Sequence, residues 1–460
     1  MFIFSPCFQV LLPAFPPPLQ WRGGVLQELF KNKGSSFFPS GYRDVMLGAV
    51  PGKCFTSHVR SLIVPVAKVL CGGSQFGSGL NGGETAFAHL YVRLFFDYCK
   101  HYKLSCANIF MDIVTAFAVL LRRILFDEYD NDETWLRKLA ASGFSSEDID
   151  AIVVVVNDKE WVDDVICRSD GVCFAWGLVN KFYCNTWFSQ DYVDGVVSTS
   201  HGCMAGTPPA DIIYALAFSR VLFKFNDAMD AQGLRSSLCS HVGPPLNLVD
   251  VDYCDDAVVP VVAGAGEIVG KCVDIVYVAC AVFTSYGLIL NFGENKTNVM
   301  TRFVGKGSTL AKRELFFAGN IRSFEFYGKS ISLLFVDAYK HMGTKFSLTH
   351  DLHQEVSARA AIIRSGTRAL KDVIRNPRFP LVKKLSYVKA HLFSSGFFQC
   401  STWGPLSPAL YGKIHSSVVQ VYRVATRNLF NPSVVNFMFS DADLICEYGL
   451  VSPMSIIRVM

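Results

Sequence analysis

A chain of 460 residues, 51% of them hydrophobic, exceeds a single typical domain and can bury a large core. Its net charge of +4 is too small for bulk electrostatics to mark a nucleic-acid protein. Fifteen cysteines without a Cys-x-x-Cys pair argue against a zinc ribbon and an ordered disulfide framework, and read as reduced core thiols of an intracellular protein.

Residues 1–18 are apolar, but Pro13, Pro16, Pro17 and Pro18 interrupt them and no basic start precedes them, which makes a poor signal peptide. Next come Trp21-Arg22-Gly23-Gly24, Lys31-Asn32-Lys33-Gly34 and Tyr42-Arg43, cations on a Gly-turned hairpin. Such cations hold a triphosphate, Arg by its planar fork and Lys as a point charge; a solvated basic hairpin is the plain alternative. Gln75-Phe76-Gly77-Ser78-Gly79 and Gly82-Gly83 form a Gly-rich loop ahead of a helix expected over 84–98. This suits a phosphate-facing backbone, and the absence of a following Gly-Lys-Ser/Thr excludes a P-loop.

Residues 106–111 predict an apolar strand ending in Asp112, and 119–126 an apolar, helix-like stretch. An acidic connection over 127–133 leads to helical spacing over 135–144, ended by Gly143, and a further helix is expected over 211–225. The runs 246–251 and 257–262, rich in Val and Leu, predict a buried hairpin with Asp255-Asp256 at its tip. Adjacent acids there are costly unless a cation neutralises them, for which a divalent metal is the usual solution; a solvated Asp-Asp turn is the alternative. If the strands bearing Asp112 and Asp255 are sheet neighbours, these acids converge on two ions about 4 Å apart, an arrangement for in-line phosphoryl displacement. Residues 276–290 are apolar but too few to span a bilayer, and read as a buried helix, so no membrane role is expected. Between Arg359 and Lys389, Arg364, Arg368, Lys371, Arg375, Arg378, Lys383 and Lys384 stand against the single acid Asp372. This basic helical stretch fits phosphate tracking through counterion release, or else a solvated helix face.

Phe110-Met111-Asp112 with Ala116-Phe117, and Tyr253-Cys254-Asp255-Asp256, resemble the first catalytic motif and the Tyr-x-Asp-Asp motif of reverse transcriptases. Order and spacing agree, and the resemblance to non-LTR, LINE-type retrotransposon enzymes extends over about residues 21–427. It implies an α+β right-hand polymerase fold: N-terminal extension 1–20, fingers 21–103, palm with an antiparallel sheet 104–346 including an inserted helical region 127–200, a helical thumb 347–430 and a tail 431–460. The implied activity is RNA-directed DNA polymerisation, a nucleotidyl transfer from dNTPs to a DNA primer on an RNA template. Two Mg²⁺ ions, with Mn²⁺ as a substitute, would be held by Asp112, Asp255 and Asp256. The nucleus would suit a retroelement protein.

The same resemblance implies roles for other residues. Arg43 first, then Lys31 or Lys33, would hold the triphosphate. Phe117 would be an aromatic gate that excludes a 2′-hydroxyl, although a core phenylalanine is the commoner fate of that residue type. Gly206 belongs to a template-positioning motif, and Lys296 would be the general acid for departing pyrophosphate. Gln75 and Tyr253 would meet nucleic acid, as would Tyr339 and Gly343 in a primer-grip hairpin and Arg364, Arg368, Lys371 and Arg375 in the thumb. Ala205 stands where the family has Gln or Pro, and His201 and Met204 differ from its Arg-bearing versions. These departures leave open a decayed, nucleic-acid-binding scaffold. A viral-type RNA-dependent RNA polymerase is disfavoured by Tyr253-Cys254 and Phe117. No room for an endonuclease precedes Trp21, and a fragment of a larger element is expected.

Overall fold

The computed structural model describes residues 17–31, 35–38, 41–81, 85–126, 131–158, 170–239, 244–293, 295–348, 352–429 and 440–459. Lys33, Gly82 and Gly83 lie outside them, as do most of the N-terminal extension and the start of the expected 84–98 helix. The chain divides into two compact units, Met1–Val336 and Asp337–Met460. The division falls earlier than the boundary expected after 346, and each unit has its own apolar core.

In the first unit, strands β1 (Gly23–Phe30) and β2 (Tyr42–Gly48) pair antiparallel, as the basic hairpin predicts. Helix α1 (Val50–Leu70), the two-residue β3 (Gln75–Phe76), α2 (Thr85–His101) and β4 (Cys106–Met111) follow. A short α3 (Ala116–Val119) precedes α4 (Asp132–Ala141), α5 (Ser146–Asn157) and α6 (Asp170–Tyr183). Then come β5 (Thr186–Gln190), β6 (Val197–Thr199), α7 (Ala210–Ala231), the ribbon β7 (Ser237–Leu238) and β8 (Leu246–Asn247), β9 (Val251–Tyr253) and β10 (Asp256–Val262). Helix α8 (Ile268–Ser285), β11 (Asn298–Arg302), α9 (Ser308–Phe317), β12 (Ile321–Phe326) and β13 (Lys329–Phe335) complete it.

The fold is mixed α and β. One sheet has the order β2-β1-β5-β6, and the main sheet is seven-stranded, β12-β13-β11-β4-β10-β9-β3. β4 pairs antiparallel with both β10 and β11. All six residues of β4 are buried, because α2 packs against β3, β4, β9 and β10 while α8 packs against β4, β10 and β12. Cover on both faces is why β4 and β10 read as continuous apolar runs without alternation. Among the described residues α8 alone is long and apolar enough to cross a membrane, and here it lies on the sheet.

Two expected elements differ. The stretch 119–126 is not a helix: α3 stops at Val119 and a single 3₁₀ turn, Arg122–Ile124, follows. Leu120 offers its carbonyl to the Gly202 N–H instead of to its own helix. The run 246–251 also divides, since Leu246–Asn247 pairs with Ser237–Leu238 and only Val251–Tyr253 pairs with β10.

The second unit begins with the hairpin β14 (Ala338–His341) and β15 (Thr344–Ser347), joined by Met342 and Gly343. Both loop residues have positive φ, 48° and 82°, the two-residue turn in which glycine is favoured. Helices α10 (His353–Ala369), α11 (Lys371–Arg375), α12 (Leu381–Val388), α13 (Pro408–Thr426), α14 (Asp441–Glu447) and α15 (Pro453–Val459) follow. The hairpin is tied to α10, as Glu355 accepts from the Lys345 N–H at 2.8 Å and Arg359 donates to the Gly343 carbonyl at 2.9 Å. His341, the last residue of β14, is buried, and burial pushes its pKa down to about 3, so it is neutral.

Candidate active site

The pairing Ala257↔Met111 places Asp256 and Asp112 just beyond the last paired positions of two neighbouring strands. Asp255 sits beside them because Tyr253 pairs with Asp256, leaving a two-residue loop, Cys254-Asp255, that turns on a positive φ of 58° at Cys254. The loop rests on the Gln75–Gly79 segment: the Cys254 N–H reaches the Phe76 carbonyl, and a Cβ on Gly77 would lie 2.9 Å from the Cys254 sulfur. Gly77 is therefore required for hairpin packing. The Gly-rich segment thus backs the acidic turn at this point.

Asp112 is held from four directions. Its N–H donates to Thr297 Oγ1 at 3.2 Å and its carbonyl accepts from the Asn291 N–H at 2.8 Å. Its carboxylate accepts from Lys296 Nζ and from Asn291 Nδ2, each at 3.0 Å. Burial raises the pKa of Asp255, and Asp112 raises it further, opposed by Lys296 and Arg43. For Asp256, burial and then the charges of Asp255 and Asp112 push it up to about 7. Three carboxylates thus share one electrostatic neighbourhood, with Lys296 and Arg43 as the opposing cations.

Among the described residues, no group of three His, Cys, Asp or Glu side chains is gathered closely enough to hold a metal ion. The donor chemistry nevertheless fits one. These are hard oxygen ligands, of which Asp256 is pushed up to about 7 by burial and then by the charges of Asp255 and Asp112, and a divalent cation would offset both.

Other expected site residues separate into groups. Arg43 is exposed on β2 and acts on Asp255; Lys31 is exposed just past β1. Phe117 is half-buried, its ring stacked on Tyr214 at 4.6 Å. Gly206 has φ 102°, and a Cβ there would meet the Met46 carbonyl at 2.7 Å, while Ala205 accepts from the Met46 N–H. Its glycine is therefore demanded by docking on β2. Tyr253 is half-buried beside Phe76.

Gln75 is a correction. It is 1% exposed and donates to the Ala215 carbonyl at 2.9 Å, so it belongs to the interior and does not face nucleic acid. In the second unit Arg364, Arg368 and Lys371 are exposed, Arg375, Tyr339 and Lys384 less so. Lys384 is also a correction to the basic face, since it is buried and donates to the Ala425 carbonyl.

Arg122 is the largest omission from the sequence reading. At 2% exposure its guanidinium donates to the carbonyls of Gly202, Tyr183, Thr199 and His201 and to both Thr186 Oγ1 and Thr199 Oγ1, at 2.6–3.2 Å. It fixes the strand pair β5–β6 to the segment that carries Gly206. Two arginines inside the apolar 119–126 run were its signal, because charge buried in such a run must be paired.

No family model and no curated protein sequence matches the chain. Among solved structures it is similar to a telomerase from Candida albicans, determined in complex with the TWJ fragment of telomeric RNA. The TM-score is 0.37 at 10% identity, over 92% of this chain and 64% of that one, so the chain spans less than two thirds of the telomerase's length.

Proposed function

We propose that the chain is an RNA-directed DNA polymerase of the non-LTR retrotransposon type, extending a DNA primer on an RNA template with dNTPs. The observation that supports this best is the meeting of Asp112 with the Asp255-Asp256 turn at the ends of β4 and β10. In this reading β1, β2 and neighbouring elements are the fingers, the seven-stranded sheet is the palm, and the helices of the second unit are a thumb whose exposed Arg364, Arg368 and Lys371 follow phosphates. Tyr339 and Gly343 form the primer-grip hairpin.

Asp112, Asp255 and Asp256 would hold Mg²⁺, or Mn²⁺ in its place. Bound there, the metal supplies charge neutralisation at the phosphates and a lowered pKa at the primer hydroxyl. Arg43 and Lys31 hold the triphosphate. The primer 3′-hydroxyl loses its proton to solvent, its oxygen forms a bond to the α-phosphorus as the bond to pyrophosphate breaks, and Lys296 gives the departing oxygen a proton that it regains from solvent. Phe117 excludes the ribose 2′-hydroxyl by bulk.

Purified protein should extend a DNA primer on an RNA template with dNTPs and largely refuse NTPs, and Phe117→Ala should raise NTP use by about tenfold or more. Absence of extension under Mg²⁺ and Mn²⁺ counts against the proposal. It would favour a second reading, a nucleic-acid-binding scaffold, to which the engagement of the Asp112 carboxylate by Lys296 and Asn291 lends weight.

The acid cluster also makes a stability prediction. The folded pKa of Asp256, about 7, lies above its ordinary value, so the folded chain retains a proton that the unfolded chain gives up. Stability contributed by neutral Asp256 is present at low pH and is lost as pH rises towards 7. In EDTA the melting temperature should therefore fall between pH 5 and 7.5, and added Mg²⁺ should raise it more at pH 7.5. Equal Mg²⁺ shifts at the two pH values would contradict metal binding by these acids.

A further inference from the structure

The Gly-rich segment that backs the acidic turn is itself held from behind. β3 is two residues long at the edge of the main sheet, so its place depends on contacts beyond the ladder. Past it, the Leu80 N–H donates to the Gly77 carbonyl at 2.7 Å and closes a two-residue turn in which Ser78 and Gly79 have φ of 54° and 84°. A serine in this left-handed conformation is strained and persists only where its surroundings hold it. Here an ion pair does so. Arg60 of α1 forks onto Asp211 in the first turn of α7, Nε to Oδ1 at 3.0 Å and Nη2 to Oδ2 at 2.6 Å, and Nη2 also donates to the Ser78 carbonyl at 2.8 Å. The Ser78 hydroxyl donates to the Asp211 carbonyl at 3.1 Å. With its one proton so placed, Ser78 Oγ is left to accept from the Cys254 thiol, 4.0 Å away. Polar contacts thus run without a break from two helices to the loop that carries Asp255. The Arg60 and Asp211 side chains are 26% and 36% exposed, and an ion pair so placed adds little to global stability. Its two parallel bonds are suited to fixing direction instead.

Resting on the reading of Asp112, Asp255 and Asp256 as the reaction centre, we propose that Arg60 is a positioning residue: through Asp211 and Ser78 it sets the seat of the Cys254-Asp255 loop, and with it the strength of cation binding by the acidic turn. Without the guanidinium, the Ser78 carbonyl loses its donor, the strained turn relaxes, and the surface under Cys254 shifts. The carboxylates keep their chemistry but lose their fixed spacing, which weakens a metal site more than it weakens the fold.

Arg60→Met, which keeps the aliphatic stem, should weaken Mn²⁺ binding about tenfold, read without turnover by electron paramagnetic resonance, and slow primer extension to match. Its melting temperature in EDTA should fall by less than about 3 °C. Arg60→Lys should recover only part of the binding, because one ammonium cannot fork onto Asp211 and reach the Ser78 carbonyl together. Arg137→Met, which removes an exposed ion pair with Glu133 in α4, is the control and should change neither binding nor extension. Unchanged Mn²⁺ affinity in folded Arg60→Met overturns the proposal. Should Arg60→Met fail to fold, Asp211→Asn, which has the same shape, must weaken Mn²⁺ binding in a folded chain, or the role of the pair is lost. A wild-type chain that binds Mn²⁺ but extends no primer defeats the polymerase reading, while the Mn²⁺ affinities still decide the role of Arg60. A wild-type chain that binds no Mn²⁺ defeats the acidic centre, and the proposal falls with it.

Discussion

Asp255→Asn should abolish primer extension, by on the order of a thousandfold or more in rate, which corresponds to a barrier increase of about 4 kcal/mol. Binding of an RNA–DNA duplex should change little, because the residues proposed to follow phosphates are Arg364, Arg368 and Lys371 and not the carboxylates of the acidic turn. Folding should not suffer either. Burial and the charge of Asp112 raise the pKa of Asp255, and the charge of Asp255 helps raise that of Asp256, so a neutral amide at 255 relieves repulsion and the variant should melt at or above the wild-type temperature in EDTA. Loss of activity in a stable protein separates a catalytic role from a structural one. Extension by Asp255→Asn at the wild-type rate would sink the assignment of this cluster as the reaction centre.

Arg122→Ala should have the opposite signature, with the fold failing first. The guanidinium donates to four carbonyls and two hydroxyls in a buried place, and truncation leaves those acceptors without their donor. Such losses cost about 3–5 kcal/mol. In a unit of this size that means a fall in melting temperature on the order of 10 °C. Arg122→Lys should recover little, because a single ammonium cannot reproduce a planar fork with donors in several directions. Thermal unfolding followed by circular dichroism tests this, and a shift of under about 1 °C for Arg122→Ala would show that the network carries no weight.

Much of the acidic site was legible because its parts are local in the chain. A strand ending in an acid, and two apolar runs meeting at Asp255-Asp256, are short-range patterns that determine where carboxylates stand on a sheet. The pairing of β4 with β10 makes those patterns converge. Less legible were residues whose meaning depends on distant partners. Gln75 looked like part of a ligand-facing glycine loop, but it is buried and its amide nitrogen donates to the Ala215 carbonyl of a helix far along the sequence. Gly206 was chosen for its place in a template-positioning motif, whereas its backbone conformation and approach to Met46 give a reason for glycine there that no sequence pattern contains. The 119–126 stretch has helical composition, yet Leu120 and Arg122 serve a tertiary network, which overrides local propensity.

β4 lies at the centre of the main sheet, and both strands that flank it come later in the chain, β10 at Asp256–Val262 and β11 at Asn298–Arg302. During synthesis, then, the strand that presents Asp112 waits with two unsatisfied edges until β10, Asp256–Val262, is made, and with one until β11, Asn298–Arg302, follows. The acidic site is therefore backed on both sides only once β11 has been made, and a nascent chain interrupted before Arg302 exposes an apolar strand edge prone to association with its neighbours on the polysome.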